Sequence, residues 1–334
     1  MKKNTLLIGG RRIRPGERTQ VYLDIPALFD NAPMNISLEV IRGLEPGPVL
    51  FVSAAIHGDE LNGTEACHRL IKSPQMKNIK GTVIIAPILN IYGFNNKSRY
   101  LPDRRDLNRC FPGNPTGSLG SRLADIVMKE IVVHCTHVID IHTGSLHRTN
   151  IPQIRANFQG KGAKVMKELA RSFGAPVMVH SNVRDGSFRE AVLQQGVPML
   201  LFEGGEAMRF EEPIIKSIVR GVHSTMRALG MLAPAKLDTQ KDCLFAHKMS
   251  WIRAPHSGIF LLKKKLGSVV KEGELVARIK GPLGENLADV HTPYDGVIIG
   301  ATLIPQVMAG EGLINIGLFE DIDVLEEHLE NFEF

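Results

Sequence analysis

Five apolar runs of strand length, each stepping directly into polar residues, set the frame for this chain: Pro48–Ile56 (PVLFVSAAI), Thr82–Leu89, His137–Ile141, Val177–His180 and Pro198–Glu203. A strand that carries apolar side chains on both faces must be covered on both faces. Between these runs lie segments with helical spacing: Leu61–Lys72, Ser118–His134, Gly162–Phe173, Phe188–Gln195 and Pro213–Leu229. The alternation predicts an α/β fold, with a mainly parallel or mixed sheet flanked by helices.

The ends of the chain read differently. Residues 1–45 suggest short strands and turns, punctuated by Gly9-Gly10, Pro15-Gly16 and Gly43. After about residue 232 the helical spacing stops, and residues 245–317 become short β-type stretches broken by glycines. Turn signals at that density predict a small all-β module. Leu232–Asp242 (LAPAKLDTQKD) reads as a linker, dividing the chain into 1–235 and 243–334. A length of 334 residues suits two domains and buries a full core without staples, so a metal here is expected to be catalytic rather than structural.

Charge narrows the partners. The formal net charge is +5, but the basic residues are scattered, and the densest runs, Arg11–Arg18 and Lys263–Lys265, lack interleaved aromatics. That argues against nucleic acid and suits an anionic small molecule. Cys67, Cys110, Cys135 and Cys243 form no CxxC pair, which points to free thiols in a reducing compartment. No stretch approaches the roughly 18 apolar residues of a membrane span, and MKKNTLLIGG lacks the apolar core of a signal peptide. The expectation is a cytoplasmic enzyme, with no membrane partner and with room for a homo-oligomer.

Reactive groups of α/β sheets gather where strands end. The first apolar strand runs into His57-Gly58-Asp59-Glu60, a later one (VIDI) into His142-Thr143-Gly144, and a third into Glu203-Gly204-Gly205-Glu206. Catalytic zinc takes three protein ligands, commonly two imidazoles and a carboxylate, and keeps a further position for water. His57 and Glu60 form a short-spaced pair and His142 the distant third. HxxE alone is weak, because Asp59 and Glu60 would also suit a helix N-terminus. Water on zinc needs a base, and Glu203 is placed for that role, with Glu206 its competitor. The segment Arg99–Gly113 carries Arg99, Arg104, Arg105 and Arg109, and Asn108 beside Arg109 adds a donor for a bidentate carboxylate clamp.

HGDE, RY followed by DLNR and FPG, DIHTG and FEGGE, in that order, resemble the succinylglutamate desuccinylase/aspartoacylase family, relatives of the zinc carboxypeptidases. The resemblance implies that His57, Glu60 and His142 hold one Zn2+ per chain. It also implies that Glu203 is the general base, that Arg99 polarises the scissile carbonyl, and that Asn108 and Arg109 bind the substrate carboxylate. Asp106 matches a carboxylate that orients the first histidine. Arg104 and Arg105 have no fixed match. PHSG…VVKEGELVARI…VHTPYDGVI resembles the barrel-sandwich of biotinyl and lipoyl domains, without a lysine at the hairpin tip Gly281–Asn286; Lys280 is the nearest candidate for a carrier site. The module is instead expected to shape the active-site entrance, where His256 and His291 are structural rather than functional. The implied activity is hydrolysis of the amide bond of an N-acyl amino acid or similar small carboxylate. The alternatives are a carboxypeptidase trimming a C-terminal residue and a binding protein that has lost the chemistry. Specificity is expected from loops at 144–160 and 181–190 and from the β-module.

Overall fold

The computed structural model describes residues 6–160, 162–234 and 243–320. The chain opens with a hairpin, β1 (Leu6–Ile8) and β2 (Arg11–Ile13), and then two long antiparallel strands, β3 (Arg18–Ile25) and β4 (Met34–Arg42). These are longer than the short strands expected there. The apolar runs become β5 (Val49–Ala54), β6 (Thr82–Ala86), β7 (His137–Gly144), β9 (Val177–His180) and β10 (Met199–Glu206), with β8 (Arg148–Ala156) between β7 and β9. The helical segments become α1 (Asn62–Lys72), α3 (Leu119–Glu130), α4 (Ala163–Phe173), α5 (Phe188–Gln194) and α6 (Glu212–Ala228), and a short helix that the spacing did not indicate, α2 (Ile91–Asn95), follows β6.

One mixed sheet organises everything else. Its order includes β8-β10-β7-β5-β6-β4-β3, in which β10, β7, β5 and β6 run parallel while β8 and β4 run antiparallel to their neighbours. The apolar runs are continuous because both faces are covered. Phe51 and Ile84 pack with Leu123 and Val127 of α3 and Phe188 and Val192 of α5. Leu50, Val52, Ile139 and Leu200, pointing the other way, pack with Leu70 of α1, Phe173 of α4 and Ile218 of α6.

β8 is the element the sequence conceals. Residues 148–156 were expected within a loop, yet they form an interior strand bonded to β10 on one side. Its Pro152 cannot donate to a ladder, which argues against a central strand. The contradiction resolves locally. Between Glu203 and Gly205 the β10 strand advances two residues while β8 retreats from Gln153 to Asn150, so β8 carries one extra residue around Pro152. A bulge is where a strand accommodates proline.

The C-terminal strands are β11 (Leu244–Ala246), β12 (Lys248–Arg253), β13 (Gly258–Leu262), β14 (Val269–Val270), β15 (Leu275–Lys280), β16 (Asn286–His291), β17 (Gly296–Thr302), β18 (Gln306–Val307) and β19 (Gly312–Leu318). They do not all stand apart. β12, β19 and β17 extend the large sheet past β8, and β11 pairs with β9, whereas β13, β15, β16 and β18 form a separate antiparallel sheet. The two layers share a core that includes Ile252, Phe260, Val276, Ile279, Ile298 and Ile314. Lys280 is the last residue of β15, paired with Ile259 and Asn286, and precedes the hairpin tip. His256 and His291 are exposed and line no part of the cavity described below. Most of the expected linker, 235–242, and the segment 321–334 lie outside the described residues.

Candidate active site

The parallel strands β5, β7 and β10 end side by side, and their C-terminal ends open into a cavity of about 410 Å3. After β5 the backbone turns sharply. Ala55 takes φ +50°, a strained value for a residue with a Cβ, and its carbonyl accepts the Asn90 N–H at 2.9 Å. Gly58 follows because nothing larger fits: a Cβ there would lie 2.0 Å from the Gly93 carbonyl carbon. The turn delivers His57 and Glu60 into the cavity, 3% and 2% exposed. Neither Asp59 nor Glu60 caps the helix that follows, since the N-cap of α1 is Leu61, without a side-chain cap.

His57, Glu60 and His142 converge. Their ligand atoms lie within 4.8 Å of one another and all three residues are buried. The Nδ1 atoms of both imidazoles face the Glu60 carboxylate, at 2.7 Å for His57 and 3.0 Å for His142. The outer nitrogens face other carboxylates. His142 Nε2 donates to Asp140 at 2.8 Å, and Asp106 Oδ1 lies 3.2 Å from His57 Nε2, off the hydrogen-bond axis. A metal-binding histidine presents one nitrogen to the ion and gives the other to a carboxylate, so the donor set and its surroundings fit a divalent cation such as zinc. Burial alone would raise the Glu60 carboxyl, but His57 and His142 outweigh it and hold it well below the usual carboxylate range. Burial likewise disfavours a charged His142, yet Asp140 and Glu60 together raise its pKa well above the ordinary imidazole value.

The remaining predicted residues line the same space. Glu203 lies opposite His142 in the β10–β7 ladder and faces the cavity, whereas Glu206 turns away to pair with Arg209. Arg99 bridges Glu60 Oε1 at 3.2 Å and Asp106 Oδ2 at 3.1 Å. The Asn108 Oδ1 is consumed by the Phe188 N–H at 2.8 Å, so its NH2 is the end left to donate. Arg109 lies beside it on the lining, while Arg104 and Arg105 are exposed and do not reach the cavity.

A model of the succinylglutamate desuccinylase/aspartoacylase catalytic domain matches residues 46–229. This chain belongs to that family. The N-α-acetyl-L-2,4-diaminobutyric acid deacetylase of Halomonas elongata is 25% identical over 303 residues, covering 87% of this chain and 88% of that protein. Among solved structures, the succinylglutamate desuccinylase/aspartoacylase from Rhodobacter sphaeroides superimposes with a TM-score of 0.82 at 22% identity, covering 92% of this chain and 97% of that one. The product-bound ectoine utilization protein of Ruegeria pomeroyi gives 0.83 at 24% identity, covering 92% and 96%. The shared fold includes the large mixed sheet and the C-terminal antiparallel strands. No helix among the described residues is long and apolar enough to cross a membrane.

In this member of the desuccinylase/aspartoacylase family several cavity residues escaped the sequence reading. Asp140 sits two residues before His142 on one strand, hence on the same face, and that spacing within DIHTG was the available signal. Arg155 and Arg189 carried no signal, because β8 and α5 bring them in from separate parts of the chain. Arg148 lies over the Trp251 ring at 5.1 Å, and β12 of the C-terminal region contributes both Trp251 and Met249 to the wall. Arg189 is 6% exposed, bonds Ser181 and the Asn182 carbonyl, and leaves its buried Nη1 without a partner. Burial lowers its pKa to about 10, helped by Arg155 and Arg184, which still leaves it charged at neutral pH.

Proposed function

We propose that this protein is a zinc-dependent amidohydrolase that cleaves the amide bond of an N-acyl amino acid or a closely similar small carboxylate. The observation that carries the reading is the convergence of His57, Glu60 and His142 beside Glu203 in one cavity walled by arginines. The name of the Halomonas relative, a deacetylase of an N-acetyl amino acid, supports the same reaction class.

His57, Glu60 and His142 would hold the zinc, which supplies Lewis acidity and makes water a nucleophile at neutral pH. The chain's own groups do the rest. Glu203 takes the proton from the attacking water and returns it to the departing amine nitrogen, so no net proton is gained or lost by the enzyme. Arg99 meets the negative charge that develops on the carbonyl oxygen, a role for a cation already fixed by Glu60 and Asp106. The Asn108 NH2 and the Arg109 guanidinium hold the substrate carboxylate and fix its orientation. Six arginines on the lining (Arg99, Arg109, Arg148, Arg155, Arg184 and Arg189) favour an anionic ligand over a neutral one.

The test is Glu203→Gln assayed on a panel of N-acyl amino acids and short peptides. It should keep its zinc and lose about 100- to 10,000-fold in kcat, the usual contribution of a general base. Retained turnover would sink the assignment of Glu203. Wild-type activity confined to the peptides would favour the carboxypeptidase alternative.

A further inference from the structure

Glu203 is gripped by the strand beside it. Its Oε2 accepts the Asn150 Nδ2–H at 3.0 Å, and its Oε1 lies 3.2 Å from Arg155 Nη1. Both partners come from β8. They are five positions apart, an odd separation that puts two side chains on opposite faces of a regular strand. The extra residue around Pro152 cancels that half-turn, so Asn150 and Arg155 reach the same carboxylate from the two sides of the bulge. Bulges beside active sites commonly re-aim a side chain in this way.

On its outer edge β8 pairs with β9 and, around Asn150, with β17, which also takes part. In the β8–β17 ladder Asn150 faces Gly300, and a Cβ at Gly300 would lie 2.5 Å from Asn150 Oδ1. Gly300 has no left-handed φ, so its backbone would accept alanine. What the missing side chain provides is first of all room for the Asn150 amide, with the Thr149 carbonyl oxygen the next contact at 3.2 Å. Asn150 is 8% exposed and the Arg155 side chain 16%, so neither is a loosely solvated group.

We propose that Asn150 and Arg155 are positioning residues that hold the Glu203 carboxylate toward the His57–Glu60–His142 group, and that β17 sets Asn150 through the space left at Gly300. A free glutamate side chain spreads over several rotamers, and holding it in one of them costs conformational entropy. Two donors, one on each oxygen, meet that cost before substrate arrives. They do not block chemistry: a carboxylate offers about four lone-pair sites, so each oxygen can still accept a proton. The inference rests on Glu203 as the proton acceptor.

The experiment uses the full-length, zinc-loaded protein carrying Asn150→Ala, Arg155→Met, Arg155→Lys or Gly300→Ala, with Glu203→Gln as reference. Asn150→Ala and Arg155→Met should lower kcat about ten- to hundredfold, the scale of a misplaced reacting group, with bound zinc unchanged and KM moved much less. Arg155→Lys should recover part of the loss, which also covers a folding defect in Arg155→Met. Gly300→Ala should lower kcat several-fold in the wild type and add nothing in the Asn150→Ala background. A crystal structure of Gly300→Ala should show the Glu203 carboxylate turned away from His142. Unchanged kcat in Asn150→Ala and Arg155→Met, alongside an inactive Glu203→Gln, overturns the proposal. So does a rise in KM alone, which would make them substrate contacts. An undiminished Gly300→Ala effect in the Asn150→Ala background overturns the part assigned to β17. Turnover retained by Glu203→Gln is a separate outcome: it removes the parent assignment.

Discussion

Asp140→Asn isolates one charge at the heart of the site. Asp140 is fully buried, with one oxygen accepting the Ser53 hydroxyl at 2.6 Å and the other the His142 Nε2–H at 2.8 Å. An asparagine has the same shape, and the Ser53 hydroxyl can rotate to accept from the new NH2. The amide oxygen then still faces His142, so orientation survives and only the negative charge is lost. The charge makes the imidazole a stronger electron donor through its other nitrogen, and losing such a partner typically weakens metal binding about 10- to 100-fold. At about 1.4 kcal/mol per factor of ten this is about 1.4–2.8 kcal/mol. Competition for zinc against a chromophoric chelator measures it directly. Asp140→Ala should do worse, because it strands both the hydroxyl and the ring N–H, at about 1–3 kcal/mol for each buried group left unpaired. An Asp140→Asn affinity within about twofold of wild type would refute the claim that this carboxylate tunes the ligand.

Three further outcomes follow from the geometry. Gly58→Ala drives a Cβ into the Gly93–Phe94 backbone, so it should cost about 1–3 kcal/mol in thermal unfolding and weaken zinc binding by moving His57; a fully stable variant with native affinity would contradict this. Arg109→Ala should raise KM well above tenfold with a smaller change in kcat, read from initial rates on N-acyl amino acids, as expected for an arginine that holds a carboxylate. His223, a buried residue of α6 that faces the Ser73 hydroxyl, has its pKa lowered to about 4, by burial first and then by Arg227. Its folded pKa lies below the unfolded one, so its contribution is complete above about pH 6.5 and is lost as the pH falls toward 4. His223→Gln should therefore flatten the fall in stability across that window by about 1–2 kcal/mol, less than the full shift because solvent screens part of the ring; denaturant melts at pH 7 and pH 4.5 provide the comparison.

The legible parts of this chain were those whose cause is local. A strand covered on both faces must be apolar throughout, so β5, β6, β7, β9 and β10 announced themselves, and the polar residues at their ends stood out by contrast. β8 did not, because its partners decide its character. Asn150, Gln153 and Arg155 are polar since they face the cavity or a neighbouring strand, and Pro152 looks like a strand breaker until the bulge is known. Asp106 was legible through resemblance, whereas Asp140 needed only the period of two. The arginine wall was legible only in part: Arg99 and Arg109 stood out beside Asn108, whereas Arg155 and Arg189 join the same lining only after β8 and α5 have folded against the loop following α2. Nor does turn density reveal that β17 and β19 join the large sheet, since pairing partners are set by the three-dimensional edge that β8 leaves open.

That open edge has a cost during synthesis. Arg148, Thr149 and Asn150 find their outer backbone partners in Gly300–Thr302, and Ile151, Val177 and Val179 find their apolar cover in Val297 and Ile299. From Ala156 to Gly296 a ribosome must add about 140 residues, which takes on the order of ten seconds at ordinary rates of elongation. For that interval the emerging polypeptide exposes an unfinished strand, the kind of surface that recruits other chains. A fragment ending at residue 234 would remain at that stage permanently. The amount of soluble protein a cell recovers should therefore depend on how long the last strands take to arrive, and on what shields the edge until they do.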